Sequence, residues 1–260
     1  MCRFLAYRGE AILLETLVSA PDHSLIDQSR HAREARTTTN GDGFGLGWYG
    51  ERGEPGLYRE VHPAWSDENL RSICAQVRSR LFFAHVRAST GTATSRANCH
   101  PFAAGPFMFM HNGQIGGWPA VRRRVEGLIP DALYGHRQGT TDSEAILLAA
   151  MADGLEADPV AAIGRTLARV HAIMGAAGVA EPLRFTAALT DGARVWAFRW
   201  ASDNQPATLY WRAKGAALII VSEPIDSDGT GWQAVPEGAV LVAEPGQPVL
   251  VDRLERAMAA

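Results

Sequence analysis

Short apolar runs that barely alternate with polar residues constrain the fold of this chain more than any other feature. Residues 218–221 and 240–243 are of this kind, and residues 81–84 and 107–110 are two further apolar runs. A strand with one face in water alternates apolar and polar residues, whereas a strand covered on both faces does not. The sequence therefore predicts strands that lie between other layers of the protein.

The order of the remaining elements sets the architecture. Residues 46–49 and 57–61 form a predicted hairpin, and helices are predicted to begin at Ser24 (ending near residue 36), at residue 66 or 67, at Thr141 and at Asp158. The order of strands, helix, strands, two helices and strands suits two packed sheets with helices outside. We expect an α+β fold, a four-layer αββα sandwich of two antiparallel sheets, and one domain over residues 1–260.

Composition narrows the class of protein. The chain has 260 residues, of which 47% are hydrophobic and 20% charged, and its net charge is -3. This is typical of a soluble globular protein, and no basic field suggests a nucleic-acid partner. Neither a signal peptide nor an apolar run of the ~18 residues needed for a membrane span is found. Three cysteines favour a reducing compartment, so a cytoplasmic location is predicted.

Metal and cofactor sites are not expected. His85, Cys99, His100 and His111 lack the close pairing typical of zinc ligands. The glycine-dense loop of residues 40–45 lacks the lysine of a phosphate-binding loop. It is interpreted as a substrate-covering loop or a tight bend.

The second residue suggests a catalytic nucleophile. Removal of Met1, which precedes a small residue, would leave Cys2 with a thiol and a free α-amine. An α-amine titrates near pH ~8 and a thiol near ~8.5, so the pair is a nucleophile with its own base. A cysteine at position two is also common by chance, so the signal is weak alone.

Three further positions could serve attack on an amide. Asn112-Gly113 offers donors for an oxyanion, although the dipeptide is also typical of a β-turn. Arg87 could hold an α-carboxylate with its planar guanidinium, or could form a surface ion pair. Asp142 could hold an α-ammonium, or could cap a helix.

In register, these residues resemble the class II glutamine amidotransferase family, which has an N-terminal-nucleophile fold. The resemblance extends to about residue 150 and implies an αββα sandwich, in agreement with the element order. The matching segments are Cys2, residues 40–45, residues 85–87, Thr90-Gly91, residues 98–101, residues 111–113 and residues 141–143.

The resemblance implies a role for each matching residue. Cys2 would be the nucleophile, with its α-amine relaying the proton, and Asn112 and Gly113 would form the oxyanion hole. Arg87 would bind the glutamyl α-carboxylate and Asp142 the α-ammonium.

Thr90 would complete the substrate-binding set, and His111 would have only a structural role. Asn40-Gly41 stands where large members of the family carry arginine-glycine, and the segment after Arg87 is short. Both features resemble small stand-alone members. Residues 40–49, 117–119 and 222–224 resemble the ergothioneine-pathway branch, which removes a γ-glutamyl group from a hercynylcysteine sulfoxide conjugate; Phe4 and the surroundings of His85 and His100 resemble uncharacterised relatives equally well.

The function predicted is therefore cleavage of a γ-glutamyl amide, glutamine or such a conjugate, through a γ-glutamyl thioester with release of glutamate. A sandwich that uses nearly all of the 260 residues leaves no room for a synthase domain, so water is the expected acceptor. Two alternatives stay open: a glutaminase subunit that supplies ammonia to a separate synthase, and a catalytically silent binding protein. The leaving group and the oligomeric state are not predicted.

Overall fold

The computed structural model describes residues 2–34, 38–89, 91, 93–227 and 229–258. Most of these residues belong to strands and helices. The strands are β1 (Arg3–Leu13), β2 (Phe44–Trp48), β3 (Gly56–Glu60), β4 (Arg78–Val86), β5 (Phe102–Ala104), β6 (Phe107–Gln114), β7 (Arg184–Thr190), β8 (Val195–Ala201), β9 (Tyr210–Lys214), β10 (Ala217–Val221), β11 (Gln233–Ala234), β12 (Ala239–Ala243) and β13 (Leu250–Arg253).

The α-helices lie in three groups along the chain: two after β1, one before β4, and the rest mainly between β6 and β7. They are α1 (Glu15–Val18), α2 (Leu25–Arg30), α3 (Glu68–Gln76), α4 (Trp118–Glu126), α5 (Asp131–Tyr134), α6 (Asp142–Ala152), α7 (Pro159–Ala176) and α8 (Glu255–Met258). None of the described helices combines the length and apolar character that a membrane span needs.

The strands form two antiparallel sheets. One has seven strands in the order β11-β9-β10-β1-β4-β2-β3, and the other has six in the order β13-β12-β8-β7-β6-β5. The long strand β1 is central in the first sheet, where it pairs with β10 on one side and β4 on the other. In the second sheet, β6 lies between β5 and β7.

Successive side chains along each strand point to opposite faces of its sheet and so pack in different layers. Phe4 and Ala6 of β1 pack with Met108 and Met110 of β6 in the core between the sheets. Leu5, on the opposite face of β1, packs in a second core under α1, α2 and α3. A third core joins the outer face of the second sheet to α4, α6 and α7. The predicted αββα sandwich is confirmed.

Local predictions differ from the structure mainly at element ends. Ser24 does cap α2, accepting a hydrogen bond from the Asp27 N–H at 3.2 Å, but the helix ends at Arg30 rather than near residue 36. The chain leaves the helix there because the backbone N–H groups of Arg33 and Glu34 donate to the buried carboxylate of Glu223. Strand β5 and helices α4 and α5 were not predicted.

Candidate functional site

Cys2 lies where β1 begins, beside the residue that follows β4. The pairing of Arg3 with Val86 sets the half-buried Cys2 next to Arg87. The Ala88 N–H donates to the Cys2 sulfur at 3.4 Å, and the sulfur lies 3.5 Å from the Ala88 oxygen. The thiol is therefore held against the backbone that directly follows Arg87.

The surroundings of Cys2 favour a thiol over a thiolate. Burial raises the pKa of Cys2, while the backbone hydrogen bond from Ala88 and the charges of Arg87 and Arg3 lower it to a smaller extent. Because the protonated form predominates, attack by this sulfur requires a base at hand.

Arg87 is buried, so the alternative of a surface ion pair is wrong. Its backbone N–H donates to the Gly43 oxygen at 2.8 Å. Its guanidinium donates to the backbone oxygen of Asp42 at 3.3 Å and to the Ser89 hydroxyl at 3.2 Å. The side chain is thus oriented by the glycine-dense loop. Thr90, the other predicted binding residue of this strand end, lies outside the described residues.

The glycine-dense loop forms the predicted tight bend. Gly43 has a φ of 111°, and a Cβ there would come within 2.7 Å of both the Cys99 sulfur and the Glu60 oxygen. Only glycine fits this conformation and this space. The bend brings Asp42 close enough for its carboxylate to accept from the Ser89 N–H at 2.7 Å, so the loop is tied to the segment that follows β4.

Asn112 and Gly113 lie inside β6, so their interpretation as a β-turn is wrong. Asn112 continues the alternation of Met108 and Met110, and its side chain is 2% exposed. Its Nδ2 has no hydrogen-bond partner among the described residues. A buried amide donor of this kind is held ready for an acceptor. A Cβ on Gly113 would lie 2.0 Å from the Arg184 oxygen, so a larger residue is excluded.

Asp142 is the first residue of α6, but Thr141 is the residue that caps the helix. The Thr141 hydroxyl accepts from the Glu144 N–H at 3.3 Å. Asp142 instead accepts from the N–H of Ile115, just past β6, at 2.7 Å, and from the Ser143 N–H at 2.8 Å. The carboxylate therefore ties the helix to the strand that carries Asn112.

His111 has the structural role predicted for it. Its Nε2 donates to the Arg184 oxygen at 3.1 Å, and its Nδ1 accepts from the Ser143 hydroxyl at 2.9 Å. Burial lowers the pKa of His111, and the charge of Asp142 partly offsets this lowering. The neutral ring, donating on one side and accepting on the other, aligns β6, β7 and α6.

Asn98 connects the Arg87 side of the site to the Asp142 side. Its Nδ2 donates to the Ala93 oxygen at 2.8 Å, which also accepts from the Arg87 guanidinium at 3.3 Å. Its Oδ1 accepts from the Thr140 N–H at 2.7 Å. In addition, β1 and β4 both contact β6 across the space between the sheets. The strands β1 and β4, whose ends carry Cys2 and Arg87, therefore face β6, which carries Asn112.

Two histidines pack against each other close to Arg87. His85 and His100 are buried, and their rings stack with centroids 4.2 Å apart. Burial, together with the charge of Arg87, lowers the pKa of His85 to about 3, and burial lowers that of His100 well below its usual value. Both rings are therefore neutral packing groups. In the described part of the chain, no group of side chains has the arrangement of a metal site.

One polar cluster beside Cys2 was not predicted. It consists of Arg3, His23 and Glu223. Arg3 is fully buried; its Nε donates to the Cys2 oxygen at 2.8 Å and its Nη1 lies 3.4 Å from Glu223. His23 Nε2 lies 2.6 Å from the same carboxylate. The sequence carried one signal for this cluster. A positive residue comes just before the apolar residues 4–7, and a negative residue follows the apolar residues 218–221.

The fold, two stacked antiparallel sheets between layers of helices, agrees with a comparison against known families. The family model "Glutamine amidotransferases class-II" matches residues 21–209. The chain belongs to the class II glutamine amidotransferases, which are enzymes with the N-terminal-nucleophile fold. The family resemblance read from the motifs is confirmed.

Individual relatives carry more specific names. A Saccharomyces cerevisiae protein named "Probable glutamine amidotransferase DUG3" is 32% identical over 93% of this chain and 81% of its own. A γ-glutamyl-hercynylcysteine sulfoxide hydrolase of Mycolicibacterium smegmatis is 29% identical over 91% of this chain and 93% of its own. Both relatives match nearly the whole chain.

Solved structures agree with the fold. A glutamine aminotransferase class-II domain protein from Silicibacter pomeroyi matches with a TM-score of 0.77 and 36% identity, over 97% of this chain and 99% of its own. A glutamine phosphoribosylpyrophosphate amidotransferase from Bacillus subtilis matches with a TM-score of 0.64 and 16% identity, over 97% of this chain and 49% of its own. The second likeness concerns the fold alone.

Proposed function

We propose that this enzyme is an amidohydrolase that cleaves γ-glutamyl amides through a thioester on Cys2 and transfers the γ-glutamyl group to water. The observation that carries the proposal is the contact between the Cys2 sulfur and the Ala88 N–H at 3.4 Å, since it joins a thiol to the residue next to Arg87. The same proposal treats residues 1–260 as one amidotransferase domain from which Met1 is removed.

In the first step, the α-amine exposed by removal of Met1 takes the proton of the Cys2 thiol. The sulfur then forms a bond to the γ-carbonyl carbon, and the carbonyl electron pair moves to oxygen. Asn112 Nδ2 and the Gly113 N–H donate to this oxyanion. The unpartnered Nδ2 supports this role, because a donor fixed before the reaction needs no reorganisation.

In the second step, the oxyanion collapses and the carbon–nitrogen bond breaks. The leaving amine takes the proton held by the α-ammonium of Cys2, which leaves a γ-glutamyl thioester. Water then adds to the thioester carbonyl, with its proton passing to the α-amine. Collapse of this second intermediate breaks the carbon–sulfur bond, the sulfur regains a proton, and glutamate is released.

The glutamyl end of the substrate is recognised by two charges. Arg87 is proposed to bind the α-carboxylate, since a guanidinium matches a carboxylate in shape and charge. Asp142 is proposed to bind the α-ammonium, with Thr90 as a further contact. The small-molecule substrate is glutamine or a γ-glutamyl conjugate, and the hydrolase name of the 29%-identical relative supports a conjugate such as γ-glutamyl-hercynylcysteine sulfoxide.

A screen of γ-glutamyl compounds tests the proposal. Protein with a free N-terminal cysteine, verified by intact mass, is incubated with glutamine, γ-glutamyl dipeptides and γ-glutamyl-hercynylcysteine sulfoxide, and free glutamate is measured. We expect release from at least one compound and none above background from Cys2→Ala. Absence of release from every compound would contradict the proposal. Release only after a synthase is added would identify the alternative, an ammonia-supplying subunit.

A further inference from the structure

A single buried carboxylate holds three parts of the chain around Cys2. Glu223, 1% exposed, lies 3.4 Å from Arg3 Nη1 and 2.6 Å from His23 Nε2. It also accepts from the N–H groups of Arg33 at 3.1 Å and Glu34 at 2.8 Å. The start of β1, the turn that precedes α2 and the segment that leaves α2 therefore meet on one side chain.

Arg3 connects Glu223 to the proposed nucleophile, Cys2. Its guanidinium uses Nε for the Cys2 oxygen at 2.8 Å and Nη1 for Glu223. Because the group is planar and rigid, fixing one edge on Glu223 fixes the other edge on the Cys2 carbonyl. Once Cys2 is the first residue, that carbonyl is its one remaining peptide group, so holding it helps to fix the Cα from which both the α-amine and the sulfur-bearing side chain project.

We propose that Glu223 is a positioning residue for the nucleophile, acting through Arg3 on Cys2 and through the N–H groups of Arg33 and Glu34 on the segment that leaves α2. This inference rests on the proposed function and names what keeps the thiol and its α-amine in the reactive arrangement. Among the described residues, the Glu223 carboxylate hydrogen-bonds to neither Arg87, Asp142 nor the Cys2 sulfur.

The negative charge of Glu223 is essential to this role. Arg3 is fully buried; burial lowers its pKa, and Glu223 is foremost among the groups that raise it. A buried guanidinium without its carboxylate is strongly disfavoured. In Glu223→Gln the neutral amide has one acceptor atom for donors from Arg3, His23, Arg33 and Glu34, so Arg3 has to shift and Cys2 loses its fixed carbonyl.

The kinetic test separates positioning from binding. Because Arg87 and Asp142 are untouched, Glu223→Gln should leave KM within about threefold while kcat falls by about tenfold or more, as expected for a misplaced reacting group. Asp153→Asn is the matched control: Asp153 accepts from Arg169 at 2.6 Å and Thr166 at 2.8 Å on the outer helices. We expect wild-type kcat from this control.

Alkylation of Cys2 by iodoacetamide supplies a readout that needs no substrate. Peptide mass spectrometry distinguishes Cys2, which is half-buried, from Cys74 and Cys99, which are fully buried and serve as internal references. In Glu223→Gln the midpoint of the alkylation rate against pH should rise by about half a unit or more, because the Ala88 N–H and the neighbouring arginines lower the thiol pKa less once Cys2 is misplaced.

Arg3→Lys covers the case in which Glu223→Gln does not fold. Lysine keeps the positive charge beside Glu223, but its single nitrogen cannot replace a fork that spans Glu223 and Cys2. We expect the same fall in kcat and the same upward shift of the alkylation midpoint. Wild-type kcat and alkylation in a folded Arg3→Lys or Glu223→Gln would overturn the inference, as would an equal fall in Asp153→Asn. If the wild type releases no glutamate from any compound, the proposed function fails, and the alkylation profiles still decide the inference.

Discussion

The side-chain oxygen of Asn98 lies 2.7 Å from the backbone nitrogen of Thr140. Through this contact, the segment that follows Arg87 is joined to the segment that precedes α6. The spacing between the guanidinium of Arg87 and the carboxylate of Asp142 therefore depends on a residue that carries neither charge.

We predict that Asn98→Ala raises KM about tenfold, with a smaller effect on kcat, because the two charged groups lose their common support. The loss of buried hydrogen bonds also lowers the free energy of unfolding by about 1–3 kcal/mol. Steady-state kinetics and urea unfolding measure the two effects. The exposed Asn69 gives the control Asn69→Ala, and an unchanged KM in Asn98→Ala would contradict the idea.

Asn112→Ala should lower kcat by about 10²–10³-fold, the effect of losing one oxyanion donor. Because Nδ2 of Asn112 has no partner among the described residues, removing it strands no buried group. The melting temperature should therefore change little while the rate collapses. A fall in kcat of less than threefold would remove Asn112 from the oxyanion hole.

Gly113→Ala is expected to disrupt β6, because the added Cβ would lie 2.0 Å from the Arg184 oxygen. We predict a loss of several kcal/mol in unfolding free energy, as for overpacked interiors, or failure to accumulate as folded protein. Gly53→Ala is the control, since a Cβ there meets nothing within 4 Å. Equal stability of the two variants in thermal melts would show that β6 can shift to make room.

Arg87→Lys should chiefly raise KM, by about tenfold or more, because the planar two-pronged contact with a carboxylate is lost. The variant is compared with wild type on a saturable γ-glutamyl substrate found in the screen. A KM that does not move would assign Arg87 to another ligand.

We predict that His23 contributes to the free energy of unfolding and that this contribution is lost at alkaline pH. Hydrogen bonding to Glu223, and secondarily to Asp27, raises the pKa of His23. The folded pKa of such a group exceeds its unfolded value of ~6.5. Its contribution to the free energy of unfolding is complete when the pH is below the unfolded pKa, and it is lost as the pH rises through the folded pKa. Urea unfolding should therefore show a larger deficit for His23→Gln at pH ~5.5 than at pH ~8.5. A deficit that is constant or grows with pH would contradict the ion pair.

Local patterns in the sequence were sufficient for the layers of the fold and for the choice of candidate site residues. The non-alternating run at residues 218–221 became β10, covered on both faces, because the pattern reports burial directly. Arg87, Asn112 and Asp142 were singled out by the groups that an amide substrate demands and by their match to motifs of the family, and their roles stay predictions. Whether Asn112 lay in a turn or a strand could not be decided locally, since Asn-Gly suits both, and its pairing with Thr186 decides it.

Long-range contacts account for what the sequence did not reveal. Arg3 and Glu223 are 220 residues apart, and no local rule pairs them. The early end of α2 has the same origin, because Arg33 and Glu34 leave the helix for that distant carboxylate. Helix α4 was missed because Gly117 and Pro119 flank its start, and these residues read as a turn although proline is well accepted in the first turn of a helix.

The stacked rings of His85 and His100 make the sandwich sensitive to acid. Each ring stays unprotonated in the folded state well below pH 6.5, whereas the same rings in an unfolded chain take up protons near that pH. Below it the unfolded chain binds more protons at these two positions than the folded chain does, so the free energy of unfolding falls as the pH falls. Acidification would thus weaken the interior of the sandwich through two rings that carry no charge in the folded protein, before most of its carboxylates are protonated.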